Sequence, residues 1–178
     1  MEVDVLKQVF GAIALAVLLA FGGQTVTAQD LGKGRVAYKV GKYETALAEF
    51  RPLAEQGDAK AQHWLGLMYF EGKGVPQNFD KALKWYRLAA EQGDRAAQNS
   101  LGVLYVGYTD GDVTVYSDGR KGTSDHFRAH MWFNIAASFG SGHSMRNIKS
   151  VEDQMTAEDI STARQMALEC VAKDYKGC

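Results

Sequence analysis

Few residues in this chain have the types and spacing that chemistry needs. His126 and His130 stand four apart, which on a helix places both imidazoles on one face, a spacing that can grip a metal ion. No glutamate follows His126 in the zincin pattern and no third ligand is evident. The alternative is a pair of surface or packing histidines. Asp110, Asp112 and Asp118 lie among glycines, but a calcium loop needs oxygen ligands at fixed alternate positions and a closing glutamate, and that pattern is missing. Neither Gly-x-Ser-x-Gly nor Ser-x-x-Lys occurs, so no serine nucleophile is marked, and no glycine-rich phosphate loop is present. Cys170 and Cys178 are the two cysteines. A redox or metal role is one reading, but the spacing is not CxxC and two thiols alone make a poor zinc site. In an exported protein the two would pair as a staple pinning the last turn of the chain, contributing at most ~2–3 kcal/mol for so short a loop. The expectation is a protein with no catalytic, cofactor-binding or metal-binding residues.

The elements that would carry any site fall within one domain of ordinary size. The chain has 178 residues, a formal net charge of −1, two prolines and 19 glycines. Scarce proline suits a helical chain, and the near-neutral charge argues against nucleic acid as a partner, which needs a basic surface. Residues 1–28 stand apart. Val9 to Gly23 is apolar and uncharged, and small residues, Val26 and Ala28, occupy the positions that a signal peptidase reads. This is the pattern of a secretory signal cleaved after Ala28, too short for a membrane span of about 20 residues. Glu2 and Asp4 depart from the usual positive leader, which leaves an uncleaved inner-membrane anchor as the alternative. A cleaved product would be periplasmic or secreted, with no membrane attachment. No cysteine follows the apolar run to take a lipid.

The rest of the chain repeats itself. Leu65-Gly66, Tyr69 and Ala54-Glu55-Gln56-Gly57-Asp58 return 36 residues later as Leu101-Gly102, Tyr105 and Ala90-Glu91-Gln92-Gly93-Asp94. A fixed period of this size is the signature of a solenoid. Helices are expected over Asp30–Val40 (frayed by Gly32 and Gly34), Lys42–Gln56, Asp58–Glu71, Asn78–Gln92 and from Asp94 onward. Ala61, Leu65, Met68 and Tyr69 form one buried stripe. Gly66 sits in mid-helix at a cost of ~1 kcal/mol relative to alanine, and its return as Gly102 points to a neighbouring helix passing too close for a side chain. Trp85-Tyr86 recurs as Trp132-Phe133 after 47 residues, so the loop of residues 107–124 carries eleven extra. Within it Val113-Thr114-Val115-Tyr116 has strand composition and Ser117-Asp118-Gly119-Arg120 is a turn signal, compatible with a small β-hairpin. After Gly140 the pattern decays: Lys149 and Glu152 stand where Gly and Tyr belong. Thr156 opens a last helix in the manner of a capping box, with Asp159 in place of Glu or Gln.

Ala61, Leu65-Gly66, Tyr69, Gly72-Lys73-Gly74-Val75, Ala82, Trp85-Tyr86, Ala89-Ala90 and Gly93 together resemble the Sel-1-like repeat pattern, a relative of the tetratricopeptide repeats. Ala97, Leu101-Gly102, Tyr105, Ala129, Trp132-Phe133, Ala136-Ala137 and Gly140 form the second copy, whose loop breaks the Gly-x-Gly-Val motif. The resemblance implies an all-α fold, an α/α solenoid of antiparallel helix pairs. It divides the chain after the signal, 29–178, into a half repeat 34–58, repeats 59–94 and 95–141, and capping helices 142–178. It also implies an adaptor or scaffold in the bacterial envelope and no chemistry. The Cys170–Cys178 arrangement is similar to that of exported bacterial members, which supports export.

In such stacks the first helix of each pair lines the concave surface where extended ligands bind. Positions 63, 67 and 70 point away from the buried stripe. They are His63, Leu67 and Phe70, and one repeat later Asn99, Val103 and Val106. A row of exposed apolar groups there would suit a peptide or helix of a protein partner, and Leu67→Asp would then abolish binding while leaving folding intact. A binder of cell-wall polymer is the alternative, favoured if Trp64, Tyr116 and Trp132 are exposed. A hydrolase would need a constellation that the sequence lacks. With about two clear repeats the concave surface is small, which is compatible with a homodimer or a larger complex.

Overall fold

The computed structural model describes residues 30–110, 113–115 and 125–178. The leader read at residues 1–28 lies outside these. Among the described residues eight helices and two short strands follow in order: α1 (Leu31–Lys39), α2 (Tyr43–Glu55), α3 (Ala59–Glu71), α4 (Phe79–Ala90), α5 (Arg95–Val106), β1 (Tyr108–Asp110), β2 (Val113–Val115), α6 (His126–Ser138), α7 (Gly142–Glu152) and α8 (Ala157–Ala172). Helices pack with their neighbours in sequence from α1 to α7, which is the solenoid that the period demands. Among the described residues no helix is long and apolar enough to cross a membrane.

Side-chain caps set most of the boundaries. Asp58 and Asp94 each accept the backbone N–H three residues on, that of Ala61 at 2.7 Å and of Ala97 at 2.8 Å, satisfying one of the four orphan donors of a helix start. Asn78, Asp125 and Ser141 do the same for α4, α6 and α7. At Thr156 both halves of the capping box form with Asp159, so aspartate serves in the glutamate position.

One contact defines each pair. A Cβ added at Gly66 would stand within 3.0 Å of the Tyr86 ring, and one at Gly102 equally close to Phe133. The second-helix ring therefore lies on bare backbone of the first. Gly34 meets Phe50 in the same way. It does not fray α1, as the sequence reading had it; it is the close-approach glycine of a third pair, residues 31–55. A second signature agrees. The N–H of the second helix's N-cap donates to a carbonyl three residues past each glycine: Lys42 to Ala37 at 2.9 Å, Asn78 to Tyr69 at 2.9 Å and Asp125 to Tyr105 at 3.1 Å. The three connections differ greatly in length, yet each is closed by the same bond. The eleven extra residues are thus an excursion between fixed ends. Within it β1 and β2 pair antiparallel, Tyr108 opposite Val115 and Asp110 opposite Val113. The strand read at Val113 therefore pairs backward with the segment just before it, and the turn signal at 117–120 lies outside the described residues.

The pairing ends at α7. Lys149 takes the place of the glycine, so no helix can settle on α7 as closely, and α8 makes its main packing against α6 instead. Ala163, Ala167 and Cys170 are its buried positions. Cys170 and Cys178 form a disulfide. The turn they enclose brings Tyr175 back against Gly93, tying the end of the chain to the corner between α4 and α5.

Candidate functional site

The first helices α3, α5 and α7 share one face of the stack. There the glutamines that follow the repeat alanines do structural work. Gln62 donates to the Ala54 carbonyl at 3.1 Å and Gln98 to the Ala90 carbonyl at 3.3 Å, each stitching a first helix to the preceding second helix. Gln62 Oε1 also accepts from Gln92 at 2.8 Å. The residue corresponding to Gln92 one repeat later is Phe139, so Gln98 Oε1 is buried without a donor.

Of the six residues expected to meet a partner, Val103 is the exposed one, at 37 %. The others are half-buried. Leu67, Phe70 and Val106 pack on the core, and Phe70 lies edge-on to Phe79 with ring centres 5.7 Å apart. These three are held within the stack, so an aspartate at Leu67 would strike packing as well as any partner. His63 Nε2 lies 3.2 Å from Ser100 Oγ, bridging α3 and α5. Burial pushes its pKa below the usual imidazole value, and the Asp94 charge opposes that shift. Asn99 Oδ1 takes the Ser144 hydroxyl at 2.8 Å and the Asn147 amide at 3.2 Å, bridging α5 and α7.

Between the N-terminal halves of these helices lies a recess of about 400 Å³, lined by His63, Arg95, Asn99, Ser100, Ser141 and His143. Arg95 Nη1 donates to the Phe139 carbonyl at 3.2 Å, and its guanidinium sits 5.0 Å from the centre of the Phe139 ring, which fixes a long side chain at the rim. Sequence reading placed two of these residues, His63 and Asn99, on the face. It missed Arg95 and His143, which follow the N-cap aspartate and serine and belong to no repeat motif; their one signal is a cation and an imidazole in the first turns of successive first helices.

The other candidate groups are engaged elsewhere. His130 is fully buried, with Nε2 2.9 Å from Glu152 Oε1 and Nδ1 2.7 Å from the Asn134 amide. Arg164 also donates to Glu152 Oε1 at 2.9 Å. The glutamate that breaks the repeat pattern therefore joins α6, α7 and α8. The His130 and Arg164 bonds hold the Glu152 carboxyl below the usual carboxylate pKa. Among the described residues no three His, Cys, Asp or Glu gather as a metal site. Trp132 is 1 % exposed, and Trp64 stacks on Phe50 with ring centres 5.5 Å apart, so neither ring is free as a platform for sugar; Tyr116, Asp112 and Asp118 lie outside the described residues.

Comparison with known proteins agrees with this geometry. The family model described as Sel1 repeat matches residues 59–94 and 95–141. Among solved structures the chain is similar to a protective antigen present in uropathogenic Escherichia coli strains, described as displaying an SLR fold. The identity is 26 % with a TM-score of 0.66, over 80 % of this chain and 30 % of that one. It is also similar to a Sel1 repeat protein from Oxalobacter formigenes, at 27 % identity and a TM-score of 0.58, over 80 % of this chain and 55 % of that one. The chain thus spans less than two thirds of either structure. No curated protein matches it in sequence.

Proposed function

The chain carries two Sel1 repeats, and from that premise we propose that it is a non-enzymatic adaptor of the bacterial envelope, binding a protein partner on the face formed by α3, α5 and α7. Repeats of this class commonly serve protein–protein interaction. The single observation that carries the reading is the recess on that face. Its walls come from three successive first helices, so the surface exists only because the repeats stack, and exposed Val103 lies on the helix that forms its middle wall. Solenoids use extended surfaces of this kind for binding. The leader pattern at residues 1–28 and the paired cysteines support an exported protein, since disulfides persist in oxidising compartments.

In-cell crosslinking with capture, beside a Val103→Asp variant shown to fold by circular dichroism, tests the reading. A partner lost from the variant alone supports the adaptor and locates its site. A partner kept by the variant moves the site to the 107–124 loop or to the outer face. Absence of any crosslinked partner removes the adaptor reading.

A further inference from the structure

The recess on the α3–α5–α7 face carries a cation, Arg95, among neutral polar groups. Arg95 is held in place by the Phe139 carbonyl and ring, yet only one of its guanidinium N–H groups is committed there. Asn99 has its oxygen occupied by Ser144 and Asn147, so what it can still offer is its amide N–H groups. His143 adds ring nitrogens, while His63 Nε2 and the Ser100 hydroxyl are paired with each other. Among the described residues no aspartate or glutamate lines the recess. Asp94, whose charge reaches His63, is engaged at the Ala97 N–H. A volume of about 400 Å³ lies at the small end of the range for ligand sites, enough for one or two side chains.

We propose that this recess binds a carboxylate carried on a peptide segment of the partner, with Arg95 as the charged anchor and the Asn99 amide as a neutral donor beside it. A fixed guanidinium facing a carboxylate gives a charge-assisted bond, about twice as strong as a neutral one. A peptide suits the site better than an acidic glycan, because the exposed ring at the rim, Phe139, already has the Arg95 guanidinium over it. The assignment rests on the adaptor reading and sharpens it to an acidic partner segment.

The test is a proton–nitrogen NMR titration of the purified protein with acetyl-tetraglutamate amide, run in parallel with acetyl-tetraglutamine amide and with tetragalacturonate. The glutamate peptide should shift amides of residues 95–100 and 141–144 saturably, while the glutamine peptide leaves them in place. Arg95→Gln should weaken binding about tenfold, and Lys84→Gln, on α4 and away from the recess, should not. The proposal is overturned if both peptides act alike, if Arg95→Gln binds as tightly as the parent, or if tetragalacturonate binds more tightly than the glutamate peptide. A partner captured in cells by a protein that ignores the glutamate peptide also overturns it and leaves the adaptor reading standing. Binding of the glutamate peptide with no partner captured keeps the carboxylate site and removes the adaptor role.

Discussion

At the scale of single residues, the two copies of the repeat serve as controls for each other. Gln62 is fully bonded because Gln92 supplies its second partner; Gln98 lacks one because Phe139 stands in that place. An unpaired buried acceptor costs about 1–3 kcal/mol. Phe139→Gln should restore the donor and raise stability by about 1 kcal/mol, less whatever the exposed Arg95–Phe139 contact contributes. Urea unfolding of the two proteins would show it, and an unchanged midpoint would mean that Gln98 finds another donor. Nothing in the bare sequence marks Gln98 as unsatisfied; the deficit becomes visible only when 92 and 139 are known to occupy equivalent places. The pH dependence is also written in two residues. His63 is held neutral by burial, so its folded pKa lies below the usual imidazole value of about 6.5 and protons prefer the unfolded chain. Stability should therefore begin to fall as pH drops below about 6.5. Glu152 is depressed from 4.5, mainly by His130, so its contribution is present above that value and is lost as pH falls through its lower folded pKa. His63→Gln should flatten the first step and leave the second. A first step that persists in this variant would assign it to another group.

At the scale of elements, the contact between a bare glycine and a ring decides how close two helices lie. Gly102→Ala gains helix propensity of about 1 kcal/mol but drives a methyl into the buried Phe133 ring, an overpacking cost of about 1–3 kcal/mol. The net effect should be destabilising, and it should shrink when Phe133→Leu is added, because the clash and the ring vanish together. Strictly additive losses in a double-mutant cycle would rule out the contact as the cause. This is also where sequence reading worked best. The helices, their caps and the reason for Gly66 follow from a period of 36 residues and from residue types at its marked positions. It faltered at Gly34, since the first connection is four residues shorter than the loop of the next pair and a fixed period hides the match. It faltered again at the loop after α5, where strand composition identified β2 but the partner strand, Tyr108–Asp110, carries no such signal.

At the scale of the whole molecule, the question is why the stack stops where it does. The outer face of α6 offers Met131, Ile135 and Ser138, whereas the equivalent face of α4 carries Lys84, Leu88 and Glu91. The charges keep α4 solvated, and the apolar version on α6 receives α8. Lys149 denies α8 a close seat on α7, and Glu152 binds Arg164 to hold it beside α6. The sequence announces the decay at 149 and 152, but not where the displaced helix goes, because that depends on comparing outer faces that the repeat motif leaves unspecified. The disulfide then completes the cap. Asp174 and Tyr175 both adopt left-handed backbone, at φ 50° and 64°, which non-glycine residues reach only at a cost. The Cys170–Cys178 bond encloses them and keeps Tyr175 against Gly93. Closing a loop of this length contributes about 2–3 kcal/mol by restricting the unfolded chain. Reduction should therefore lower stability by that amount, and the loss should be local, since α8 leans mainly on α6. Hydrogen exchange on the reduced protein should quicken over residues 157–178 and at the α6 positions beneath them, and remain slow from 43 to 71. A uniform acceleration would mean that the cap stabilises the whole solenoid as one cooperative unit. No acceleration would mean that packing of Ala163, Ala167 and Cys170 suffices without the bond.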